Sequence, residues 1–245
     1  MPRSSHAPLA DQLIRISQEL SQAVGRLRFG GKVVYVYNPL EYARETYEQY
    51  LRLAARQPGV ALLVGMNPGP FGMTQTGVPF GEVNAARDFL GVHGPVGHPD
   101  REHPKRPVLG FDCARSEVSG ARFWGWVQTR FGTPARFFAS FLVWNYCPLV
   151  FLLESGANLT PDKLALEDRK RLYAVCDRAL AEVVDAVAPS RVIGIGKFAE
   201  ARAREALDGR DLEIGTVLHP SPASPLANRG WAEKAERQLR ELGAL

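Results

Sequence analysis

Three polar residues stand just beyond apolar, strand-like runs: Asn67 after 61–64, Asn145 after 140–144 and His219 after 214–218. An amide side chain carries a donor and an acceptor but cannot act as a general base, whereas a histidine changes protonation near neutral pH. Strand C-termini converge in a parallel sheet, so the three residues are expected to face one crevice. Each has a plainer reading taken singly: a turn residue for an Asn before Pro, a local backbone bond for a strand-end Asn, a core or surface place for a lone His. Their joint appearance at three strand ends, two of them beside Pro-rich loops, favours a site.

Those loops are unusual in composition. Between Asn67 and Glu82, Gly69, Gly72, Gly77 and Gly81 permit positive φ or close backbone approach, while Pro68, Pro70 and Pro79 freeze φ. The segment 65–82 therefore reads as a preformed cradle hung on an apolar strand. The second loop, 219–231, places Pro220, Pro222 and Pro225 close together ahead of the final helix, stiff enough to push against another molecule.

The elements that must hold these loops alternate between two periodicities. A disordered start is expected over 1–8, followed by a single domain over 9–245 that begins with an amphipathic helix carrying Leu9, Leu13, Ile14, Ile16, Leu20 and Val24. Strands are expected at 33–37, 60–65, 139–145, 191–195 and 213–218. Helices are expected at 40–56, 118–130, 197–208 and 226–242, with a short one near 82–90 and a long ordered loop over 91–115. Thr160-Pro161-Asp162 reads as the opening of a helix running to about 187, with Thr160 as N-cap. Strands alternating with helices predict parallel strands joined by crossovers.

At 245 residues and 45% hydrophobic composition, the chain can bury a full core as one domain. The formal charge of +4, from 30 basic and 26 acidic residues, mildly favours a polyanionic partner without demonstrating one. Cys113, Cys147 and Cys176 form no CxxC pair, which argues against an iron–sulfur cluster or disulfide scaffold and for a reducing setting. No apolar run approaches the ~18 residues of a spanning helix, and residues 1–10 lack a signal peptide's apolar core, so no membrane association is expected.

Several segments together resemble the single-strand-selective monofunctional uracil-DNA glycosylase family, within the uracil-DNA glycosylase superfamily. They are Tyr37-Asn38-Pro39 with Glu41-Tyr42-Ala43, the whole of 65–82, Glu102-His103-Pro104-Lys105-Arg106-Pro107 and Ser116-Glu117-Val118-Ser119-Gly120 with Arg122-Phe123-Trp124-Gly125. Asn145 with Cys147-Pro148-Leu149, Asn158-Leu159-Thr160-Pro161 and His219-Pro220-Ser221-Pro222 with Ala227-Asn228 and Gly230-Trp231 complete the match. The resemblance spans nearly all of the chain from Val33. It implies a three-layer α/β/α sandwich around a short, mainly parallel central sheet. It also implies hydrolysis of the N-glycosidic bond of uracil, and of oxidised 5-substituted uracils, in single- and double-stranded DNA, by a monomer without metal or cofactor. The setting implied is intracellular: cytoplasm or nucleoid in a bacterium, nucleus in a eukaryote.

By the same resemblance Asn67 binds the attacking water and His219 donates a hydrogen bond to uracil O2. Asn145 reads O4 and N3–H, Phe80 stacks on the extruded base, and Met66 with Gly69 faces C5 to exclude thymine. The loop Pro220, Ser221, Pro222, Ala223 and Ser224 is similar to the wedge that enters the duplex, and Arg229 stands where it can contact phosphate. Vertebrate relatives carry Arg directly after His-Pro-Ser-Pro; Ala223 stands here, and weaker duplex invasion is expected.

Two other readings compete. A lesion-binding module would hold a flipped base without cutting, but would not need Asn67 and His219 together. A nucleotide hydrolase would need a Gly-Lys-Ser/Thr ending or an acidic metal cluster beside the first loop, and neither is present. His93, His98 and His103 recur at five-residue intervals, a spacing that fits no common zinc pattern. Lys105, Arg106, Arg115 and Arg122 are candidates for the DNA path.

Overall fold

Apolar runs too short to span a helix and amphipathic segments long enough for one alternate along this chain, and the structure, a computed structural model describing residues 7–245, follows that alternation. Of the disordered start expected over 1–8, residues 1–6 lie outside the described residues. In chain order the elements begin with α1 (Leu9–Gly25), β1 (Tyr35–Tyr37), α2 (Pro39–Tyr42), α3 (Arg44–Ala54), β2 (Ala61–Gly65) and α4 (Met73–Thr76). Next come α5 (Val118–Phe131), α6 (Pro134–Phe138), β3 (Phe141–Asn145), β4 (Val150–Leu152) and β5 (Asn158–Leu159). The last are α7 (Leu166–Val187), β6 (Val192–Ile195), α8 (Lys197–Ala206), β7 (Ile214–Val217) and α9 (Trp231–Glu241).

Four strands pair in parallel in the order β3-β2-β6-β7. Every residue of β2, β3 and β6 is buried, as strands covered on both faces require. On one side α1, α7 and α8 pack together, with α8 on β6; elsewhere α5 packs on α6 and α9, and α9 on β7. The result is the expected three-layer α/β/α sandwich. The α5, α6 and β3 contacts are dense in aromatic rings: Phe137 stacks on Phe141 at 5.3 Å between centroids and meets Trp124 edge-on at 5.8 Å. Such pairs add to the area each ring buries.

Four expectations need correction. The strand expected at 33–37 does not join the parallel sheet: β1 pairs antiparallel with β4, and β4 with β5, in a separate three-stranded sheet. β1 falls within the expected strand, whereas β4 and β5, of three and two residues, carry too little periodicity to be seen. The helix expected over 40–56 starts earlier, with Pro39 at its first position, and breaks at the buried Ala43 into α2 and α3. Thr160-Pro161 opens only a single 3₁₀ turn, Pro161–Lys163; Leu164 turns the chain in extended geometry and α7 begins at Leu166, with no side-chain cap from Thr160. The last helix starts at Trp231, not 226, because 221–230 fold into successive turns that end on Gly230 at φ 78°. Among the described residues no helix is long and apolar enough to cross a membrane.

Candidate active site

The parallel register brings two of the three polar strand ends side by side. Gly65 of β2 pairs with Asn145 of β3, and the ladder continues past both strands: Tyr146 N–H donates to Gly65 O at 2.9 Å and Cys147 N–H to Met66 O at 2.9 Å. A Cβ on Gly65 would collide with Asn145 Oδ1, so only glycine lets the amide lie across the strand end. Beyond it, side chains brace the 65–82 loop. Thr74 Oγ1 donates to Gly69 O at 2.6 Å, Gln75 Nε2 to Pro70 O and Pro107 O at 3.1 Å each, and Tyr42 O–H to Thr74 O at 2.8 Å. Preformation of this loop thus rests on hydrogen bonds as much as on prolines.

A cavity of about 540 Å³ opens at these strand ends, and Met66, Asn67, Gly69, Phe80, Asn145 and His219 all line it. Ser221, Ala223 and Ser224 close one side. Pro220, Pro222 and Arg229 do not reach it: Pro220 is buried beneath the loop, while Pro222 and Arg229 are exposed. The expected crevice therefore gathers all three strand-end residues and half of the expected wedge.

Each polar group has a defined orientation. Asn67 Nδ2 donates to Leu149 O at 3.2 Å, which fixes the amide and leaves Oδ1 as the free acceptor. Asn145 is 6% exposed, and its Nδ2 donates to Met73 Sδ at 3.1 Å. A thioether is a weak acceptor, so packing over Gly65 holds this amide more than hydrogen bonding does. His219 Nδ1 accepts from Ser221 N–H at 3.0 Å, so the proton of the neutral ring sits on Nε2. Burial pushes the His219 pKa down from 6.5 to about 4, so the neutral donor tautomer persists at physiological pH.

Phe80 adopts φ 54°, an uncommon and strained backbone for a bulky residue. Its ring stacks on Phe123 at 5.0 Å and 21°, and its centroid lies 5.8 Å from that of His219. The strain aims an aromatic face at the cavity while Phe123 supports the ring from behind.

Glu117, Ser119, Asn158 and Thr160 also line the cavity and were not anticipated there. Glu117 stands out. Its carboxyl lies against the Cα positions of Gly69 and Gly72, where any Cβ would collide with it. Burial lifts its pKa from 4.5 to about 7, against the opposing pull of the Phe71 and Gly72 amides, and Oε2 is buried without a hydrogen-bond partner. An acidic residue just before an amphipathic helix reads as surface; the pair of small residues facing it in the loop was the available signal.

Of the basic candidates, Arg115 and Arg106 lie over the Phe71 ring at 4.0 and 5.5 Å. Arg122 instead clamps the second loop, donating to Pro220 O at 3.1 Å and Asn228 Oδ1 at 2.9 Å, while Asn228 Nδ2 donates to Pro222 O at 2.9 Å. His103 is buried with both ring nitrogens engaged, by Glu154 O and Lys105 N, and His98 pairs with Glu102 at 3.0 Å. Among the described residues no group of three or more His, Cys, Asp or Glu is placed to hold a metal.

Comparisons with known proteins bear on this arrangement. The chain is 49% identical over 245 residues to the single-strand selective monofunctional uracil DNA glycosylase of Mus musculus, covering 99% of this chain and 86% of that protein. The Rattus norvegicus protein of the same name gives 49% over 245 residues, covering 99% and 87%, and the Bos taurus protein 47% over 246 residues, covering 100% and 90%. The crystal structure of wild-type Pedobacter heparinus SMUG2 superposes with a TM-score of 0.66 at 16% identity, covering 96% of this chain and 97% of that one, a likeness of fold. No family model matches the chain.

Proposed function

From the premise that this chain belongs to the single-strand-selective monofunctional uracil-DNA glycosylase family, we propose how its cavity removes uracil from DNA by hydrolysis of the N-glycosidic bond. Cleavage leaves a uracil anion with charge gathering on O2, beside a sugar of oxocarbenium character. Catalysis consists in stabilising that anion and delivering water. The observation that carries the reading is the neutral His219, its Nδ1 satisfied by Ser221 N–H, which leaves Nε2–H as a fixed donor beside an aromatic ring and an amide.

Nε2–H donates to O2 as charge develops there, without full proton transfer. Asn67 Oδ1, free because Nδ2 is held by Leu149 O, orients the water. An amide cannot remove its proton, so the general-base contribution of roughly 10²–10⁴-fold is forgone, which an early-breaking glycosidic bond tolerates. Asn145 offers Nδ2–H to O4 and Oδ1 to N3–H; cytosine presents the reverse pattern. Phe80 stacks on the base, a contact worth roughly 1–3 kcal/mol. Met66 and Gly69 face C5, where a polar substituent is accepted in place of a water and a methyl group is not, extending the substrates to oxidised 5-substituted uracils.

The enzyme acts as a monomer on single- and double-stranded DNA, with the 220–224 loop as the wedge, Ser221, Pro222, Ala223 and Ser224 outermost on a buried Pro220, and Arg229 on a phosphate. Its product is an abasic site, since neither signature loop holds a lysine to form a Schiff base with the sugar. Incubation with a single-uracil oligonucleotide tests the reading: strand scission after alkali and none before is expected. Scission before alkali would contradict monofunctional hydrolysis, and no scission at all would overturn the reading.

A further inference from the structure

The two anchors already assigned orient the base and point its remaining edge at a group with no role so far. Asn145 Nδ2 is turned toward Met73, to whose Sδ it donates, so the amide nitrogen faces the 69–73 side of the cavity. A base whose O2 meets His219 and whose O4 accepts from Asn145 Nδ2 therefore presents its next ring position, C5, to that side. There the Glu117 carboxyl lies against Gly69 and Gly72, lines the cavity and keeps Oε2 buried without a partner. The Phe71 and Gly72 amides pull on this carboxyl, yet Oε2 itself is left without a partner, and a polar atom shielded from water with unused hydrogen-bonding capacity is costly to keep.

We propose that Glu117 is a specificity-determining residue that hydrogen-bonds the polar substituent at C5 of the flipped base. The proposal rests on the base-excision reading above and deepens it. As a carboxylate Glu117 accepts from a 5-hydroxymethyl group; as a carboxylic acid it donates to a 5-formyl group, which can only accept. A methyl group offers neither bond and leaves the carboxyl desolvated and unpaired.

Burial brings Glu117 to the point of changing charge near neutral pH. The other titratable group felt there is Glu82, whose carboxylate is engaged by Ala85 N–H at 3.0 Å and Asn84 Nδ2 at 3.4 Å. His219 lines the same cavity and titrates well below neutrality, and Arg106 and Arg115 lie over the Phe71 ring, whose backbone amide points at Glu117.

The test compares single-turnover excision of uracil, 5-hydroxymethyluracil and 5-formyluracil from matched oligonucleotides between pH 5.5 and 8. In the unaltered protein the 5-formyluracil-to-uracil ratio should rise about fivefold or more as pH falls through Glu117's titration, while the 5-hydroxymethyluracil ratio stays nearly level. Glu117→Gln should flatten the first ratio, since an amide does not titrate, and preserve the second. Glu117→Ala should lower the 5-hydroxymethyluracil-to-uracil ratio about tenfold. Ratios within one variant cancel a general loss of folded protein. Equal losses on all three substrates in Glu117→Ala, or an unchanged pH dependence in Glu117→Gln, would overturn the proposal. Absence of uracil excision by the unaltered protein would instead overturn the reading on which it rests.

Discussion

At the scale of single residues, the state of His219 is the most consequential feature. Folding holds its imidazole at a pKa of about 4 against an ordinary 6.5, so the neutral ring favours the folded state above pH 6.5 and that contribution is lost as pH falls toward 4. With His219 in its proposed role, the same sign governs excision. Single-turnover uracil excision should show no His219-dependent fall near pH 6.5, only an acid limb close to 4; a limb centred at 6.5 that depends on His219 would show a solvated, not a buried, ring. Asn145 gives a second prediction at this scale. A carboxylate accepts from cytosine N4–H₂ and repels uracil O4, so Asn145→Asp should lose at least ~10-fold on uracil and gain measurable cytosine excision. Uracil excision equal to the unaltered protein would remove Asn145 as the reader. That Asn67, Asn145 and His219 line one cavity was legible in the sequence because a polar residue ending an apolar strand is conspicuous. Glu117 was not, because its burial depends on Gly69 and Gly72, some 45 residues away in the chain.

At the scale of elements, the second loop is tied down where it meets the domain and bare at its tip. Arg122 and Asn228 fix Pro220 and Pro222 from outside, and Ser221 N–H is held by His219, so the loop and the imidazole are positioned by one another. At the tip Pro222, Ala223, Pro225 and Leu226 are exposed, Leu226 by 59%, and none of the four carries a charge. Extruding a base costs a few kcal/mol, least in single strands, and alanine neither fills the gap nor contacts phosphate. Single-stranded and U:G substrates should be cut faster than U:A, and Ala223→Arg should raise the duplex-to-single-strand rate ratio. An unchanged ratio would place position 223 outside the wedge. Element boundaries were legible where a local signal and the tertiary structure agreed, as at α1 and β2. They were misread where tertiary contact decided: Ala43 breaks a helix that its sequence would continue, and Leu164 delays one that Thr160-Pro161 announces. The short α6 had a readable start, Thr133 accepting from Arg136 N–H with Pro134 behind it, yet five residues show no period.

At the scale of the molecule, the parallel sheet converts sequence distance into proximity: residues 67, 145 and 219 end three of its strands or the loops just beyond them and line one cavity. This was legible from strand–helix alternation, whereas the antiparallel β1-β4-β5 sheet, built from strands of two or three residues, was not. With a formal charge of only +4, long-range attraction to DNA is modest. A donor that acts on charge developing at O2 contributes in the transition state far more than in the bound ground state. The direct measurement is His219→Leu, with the single-turnover excision rate and the affinity for uracil-containing DNA determined on the same preparation. The account predicts a rate lower by at least ~10² and an affinity within a few-fold of the unaltered protein. An undiminished rate, or a loss in affinity as large as the loss in rate, would contradict it.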